Sequence, residues 1–114
     1  MADALKVIQE IEDIEHAIEH ASDLLDRYDE ALPTAEYEYQ TRRREVMEEL
    51  RKSEGATMAR ETVRGVPEIA ELRRVRDELT YKMRSLRACR EDLRAKLYVR
   101  KDEANREWTR PSNQ

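Results

Sequence analysis

The stretch VIQEIEDIEHAIEHASDLLDRYDEAL, residues 7–32, decides the fold. Its residues Val7, Ile11, Ile14, Ile18, Ala21, Leu25, Tyr28 and Leu32 are spaced alternately four and three apart. That alternation marks a helix that buries one stripe against another helix. Acids fill half of the positions between, so the other faces are solvated. Asp3 suits an N-cap. Pro33 lacks a backbone donor and disfavours helix at the residue before it. Yet the stripe continues in phase through Ala35, Tyr39, Arg42, Val46 and Leu50. A loop has no reason to keep that phase. The reading is one helical arm over 3–52, kinked near Pro33.

Ser53-Glu54-Gly55-Ala56-Thr57 interrupts the pattern. Gly55 suits a left-handed helix end, and Thr57 suits the N-cap of a short helix over Met58 to Arg64. Gly65 could close that helix, and Pro67 is placed for the first turn of the next. A second arm over 67–107 carries Leu72, Leu79, Leu86 and Leu93 at sevenfold spacing, with Val75, Met83, Cys89 and Leu97 as the alternate positions. Leu97, Ala104 and Trp108 suggest a stripe that drifts toward a 3.6 period. Tyr28, Tyr37 and Tyr39 are expected to pack together at the kink. Pro111 and its polar neighbours make 109–114 a flexible tail.

The composition agrees. Of 114 residues, 42% are charged, against about 25% in an ordinary globular domain. There is no Phe, and Gly occurs twice. That excludes collagen-like and linker-rich chains and argues against many-stranded β folds. The expected fold is all-α: one helical domain over 1–108, a long antiparallel helical hairpin or coiled coil with its tip at 53–66 and a short helix at 57–65. Two thin arms bury little. Folding back at Pro33 into three helices, or forming a homo-oligomer, would cover more. The single Cys89 gives no disulfide framework, no apolar run is long enough for a membrane span, and the N-terminus does not read as a signal peptide. A cytoplasmic protein is expected, in the host cell if phage-encoded.

The net charge of −4 is unevenly spread. Residues 1–32 carry ten acids and two bases, whereas 69–114 carry eight acids and thirteen bases. The two arms could pair with each other through these charges, or each could face a partner. The candidate acidic surface is Glu12, Glu15, Glu19 and Asp23. A rigid rod of carboxylates can occupy a basic groove on a nucleic-acid enzyme. The candidate basic surface is Arg42, Arg43 and Arg44 with Arg87, Arg90 and Arg94, the last three forming one stripe that could contact phosphates or an acidic protein face. Few aromatic residues lie nearby to stack bases. His16 and His20 share a helix face, but no third histidine joins them, so no metal site is expected. Cys89 reads as a buried, inert seam residue.

No phosphate loop, nucleophile elbow or zinc-protease motif occurs, and no nucleophile–base pair can be assembled. The chain is therefore read as non-catalytic and without a cofactor. Tyr37-Glu38-Tyr39, Gly55-Ala56-Thr57 with Arg60-Glu61, and the run Ser85 to Arg94 resemble a diverse group of small all-helical proteins of tailed bacteriophages and prophages. The resemblance runs from about Ala35 to Ala104. It implies phage origin and a hairpin fold, among genes for recombination or host takeover, and it assigns no functional residues. The acidic helix of 1–32 is a departure from that group. The expected function is binding of a partner protein, inhibiting or modulating a host or defence enzyme that handles nucleic acid. The alternatives are a nucleic-acid-binding accessory factor of phage recombination or replication, and a purely structural oligomer.

Overall fold

The computed structural model describes residues 2–109. Three helices follow in order: α1 (Ala2–Glu54), α2 (Ala56–Gly65) and α3 (Pro67–Thr109). Among the described residues only Gly55 and Val66 are not helical. The expected all-α fold is found. Thr109 closes α3, and the remainder of the expected tail, 110–114, lies outside the described residues.

Every seam position read along the first arm, from Val7 to Leu50, is buried or half-buried. Pro33 lies inside α1, which remains one helix. The proline is exposed. On that face water can take the carbonyl that its missing N–H would have bonded. The helix therefore does not fold back at Pro33, and the third helix is α2. Asp3 lies in the first turn of α1 rather than capping it.

Gly55 joins α1 to α2 with φ 83° and ψ 170°. This is positive-φ backbone that only glycine enters without strain, though not the left-handed helical conformation expected. Its N–H donates to the Arg51 carbonyl at 3.2 Å, and its own carbonyl accepts from Ala59 at 3.1 Å. Gly55 thus ends one helix and caps the next. Thr57 lies inside α2 and supplies no cap, because α2 has no side-chain cap hydrogen bond. Thr62 Oγ1 instead donates to Glu54 Oε2 at 2.8 Å, tying α2 to the end of α1. Pro67 is the first residue of α3, as the missing N–H favours.

The chain divides into two compact units, and each contains an antiparallel pairing of α1 with α3. The second unit is residues 27–84. Arg42–Glu68 at 2.8 Å and Arg76–Glu36 at 3.6 Å set its register. Its core joins Tyr39, Val46 and Met47 of α1, Ala59 and Val63 of α2 and Ile69 of α3. Val63 and Ile69 are essentially inaccessible to solvent. Fully burying side chains of this size stabilises by about 1.5–3 kcal/mol each.

Of the described residues, the first unit comprises 2–26 and 85–109. Glu10–Arg100 at 3.1 Å and Ser22–Arg90 at 3.4 Å set its register. Among its described residues only Ala21 and Leu25 are buried apolar groups. Val7, Ile11, Ile14, Ile18, Leu86, Leu93 and Leu97 are half-buried.

The seam of α3 differs from the sequence reading. It runs through Ile69, Leu72, Arg76, Leu79, Met83, Leu86, Arg90, Leu93, Leu97, Arg100 and Ala104 in unbroken heptads. Arginines occupy positions where apolar residues were sought. Val75 and Cys89 are exposed rather than in the seam, and Trp108 is 72% exposed, so the stripe does not drift toward it. An arginine can lay its methylene stem along the seam and reach outward with its charge, so the helix keeps its phase.

Candidate functional site

Glu12, Glu15, Glu19 and Asp23 follow one another at i, i+3, i+7 and i+11 along one edge of α1, beside the seam. All four are exposed. None makes an ion pair among the described residues. In this unit the acidic and basic arms meet at Glu10–Arg100, and these four carboxylates take no part. The acidic edge predicted from sequence is therefore present as a continuous, unneutralised row.

The predicted basic surface is not one surface. Arg42 turns toward α3, donating to Glu68 at 2.8 Å and to Glu45 at 2.9 Å. Those two carboxylates, Glu68 first, raise its pKa and fix its charge. Arg43 lines a cleft described below, and Arg44 is exposed. Arg87, Arg90 and Arg94 also diverge. Arg90 sits in the seam, where a terminal N–H reaches Ser22 Oγ and its Nε is buried with no partner. Arg94 pairs with Glu91 at 3.0 Å on the surface, while Arg87 is exposed. The i, i+3, i+7 spacing that suggested a stripe straddles the seam edge.

The tyrosines also part. Tyr39 is buried, Tyr28 is half-buried and Tyr37 is 72% exposed, so no cluster forms near Pro33. His16 and His20 are exposed, and no group of three metal-ligating side chains gathers among the described residues.

The second unit holds a feature that the sequence reading missed. A cleft of about 580 Å³ opens between α1, α2 and α3. Arg43, Arg64, Arg73 and Arg76 line it, together with Tyr39 and Ile69 on its apolar side. No carboxylate lines it. Arg73 donates to the Arg64 carbonyl at 3.3 Å. The Arg76 guanidinium lies 4.4 Å from the centre of the Tyr39 ring, and it also pairs with Glu36 and Asp77. Arg43 and Arg64 have no side-chain partner among the described residues. The available signal was the position of Arg64 near the end of the tip helix, with Arg73 and Arg76 within the first three turns of α3. Reading it requires knowing that α2 folds back against both arms.

The chain matches no family model, no curated protein and no solved structure.

Proposed function

We propose that this chain is a non-catalytic helical interaction protein that binds a partner protein through the acidic edge of α1. The row of Glu12, Glu15, Glu19 and Asp23 carries the reading, since four exposed carboxylates remain free of internal ion pairs. Their complement is a basic groove, of the kind an enzyme that handles nucleic acid presents to phosphates. Occupying that groove would inhibit or modulate the enzyme. The resemblance to small helical phage proteins suggests a bacterial host or defence enzyme as the target. The half-buried seam of the first unit also suits a second copy of the chain.

The test compares the natural chain with one carrying Glu12→Lys, Glu15→Lys, Glu19→Lys and Asp23→Lys. The natural chain should capture a nucleic-acid-handling enzyme from bacterial lysate and inhibit it once purified. The reversed chain, with unchanged helicity by circular dichroism, should do neither. Equal capture and inhibition by the two chains would overturn the reading.

A further inference from the structure

The geometry points to the arginine cleft of the second unit as a binding site for a compact polyphosphate, either free or as the di- or triphosphate of a nucleotide. The inference is independent of the acidic edge of α1. Four arginines from three helices line one concavity that no carboxylate lines. Arg76 is already engaged with Glu36, Asp77 and Tyr39. Arg43 and Arg64 are not, and Arg73 has given one N–H to a neutral carbonyl. Three arginines therefore keep planar donor sets to offer. Such forks match the paired oxygens of a phosphate and hold them by charge-assisted hydrogen bonds.

The size and surroundings choose among phosphate ligands. The volume of about 580 Å³ lies in the range of small-molecule sites. A single orthophosphate would leave most of it to water. A long nucleic acid needs a basic track well beyond one cleft, whereas this chain has a net charge of −4 and carboxylates spread along all three helices. That field repels an extended polyanion, whereas a small one in the cleft is in direct contact with the arginines and is screened from carboxylates more than about 10 Å away. Two or three linked phosphates offer paired oxygens to more than one of these arginines at once.

Calorimetric titration of the full chain tests this with pyrophosphate, ATP and adenosine as probes. Pyrophosphate and ATP should each bind one site saturably, with affinity falling as salt rises, and adenosine should not bind. Tighter binding of ATP than of pyrophosphate would identify the nucleotide as the ligand, and equal binding the free polyphosphate. Arg43→Gln with Arg64→Gln should weaken binding at least about tenfold, with helicity unchanged. Arg44→Gln removes one positive charge a single residue from Arg43 and should change it less than about twofold. On the natural chain, pyrophosphate should protect Arg43 and Arg64, but not Arg44, from phenylglyoxal modification read by mass spectrometry. Three results would overturn the proposal: no saturable binding of either phosphate, equal losses from the Arg44 and Arg43/Arg64 substitutions, or tighter binding of duplex DNA than of ATP.

Discussion

Arg76 and Arg90 occupy the same heptad position of α3, two heptads apart, and each is turned into a seam with α1. In the unit of residues 27–84, Arg76 meets the Glu36 carboxylate and the face of the buried Tyr39. In the other unit, Arg90 meets the Ser22 hydroxyl at 3.4 Å and leaves its Nε buried and unbonded. The apolar packing differs in the same sense. One unit has α2 laid over its seam, and Val63 and Ile69 are sealed from solvent. The other has two helical segments and a half-buried stripe. The same heptad thus yields a core where a third helix covers it and an open ribbon where none does. A guanidinium without a carboxylate and a seam without a cover are two signs of one difference.

The largest test of that difference is truncation of matched isoleucines. Ile69→Ala should destabilise by about 2–5 kcal/mol in urea unfolding, because it removes a sealed side chain and leaves a cavity. Ile14→Ala, in the open seam, should cost about 1 kcal/mol at a dilution where the chain is monomeric, since water then reaches its site. Equal losses at that dilution would mean that the seam is not open, and the comparison would fail.

Gly55 tests whether the placement of α2 makes the second unit compact. A Cβ there meets nothing within 4 Å, so its cost is backbone strain alone. Gly55→Ala should destabilise by about 1–3 kcal/mol. Amide exchange should quicken first at Ala59 and Val63, with residues 7–18 unaffected. A uniform rise along the chain would show that α2 does not act locally.

These contrasts also mark what could be read from the sequence. The α1 seam was legible because its apolar residues are uninterrupted from Val7 to Tyr39, and even Arg42 was placed in it by phase. The α3 seam was read only where apolar residues mark it, at the leucines, Met83 and Ala104. Arg76, Arg90 and Arg100 were passed over for Val75 and Cys89, since an apolar pattern does not register a charged side chain whose stem is buried. The acidic edge was legible from spacing, because exposure on a helix follows from phase once the seam is known. The arginine cleft was not, because it depends on the path of the chain through Gly55 and Val66, and helical periodicity carries no information about that path.

The two seam arginines should respond to the same substitution with opposite sign. Arg90→Leu replaces a buried, unbonded Nε–H with apolar volume and should stabilise by about 1 kcal/mol. Arg76→Leu removes a carboxylate contact and a cation–π contact and should destabilise by about 1 kcal/mol. Thermal unfolding of the two variants reads both. Shifts of the same sign would show that the difference between Glu36 and Ser22 as partners does not govern the two sites.

The smallest effect concerns the exterior of the second unit, where Glu71, Arg74, Glu78 and Lys82 form a chain of ion pairs on α3. Arg74 holds Glu71 below the usual carboxylate range, and Lys82 with Arg74 does the same for Glu78. Because both folded-state pKa values are depressed, the stabilisation is complete above the ordinary carboxylate range. It is lost as the pH falls through that range to the lowered folded values. The double variant Glu71→Gln, Glu78→Gln should therefore melt slightly below the natural chain at neutral pH. The gap should close on acidification, and it should also close in high salt, since all four side chains are exposed. A gap that widens as the pH falls would reverse the assigned sign, and one that survives high salt would mean that the glutamates act through packing rather than charge.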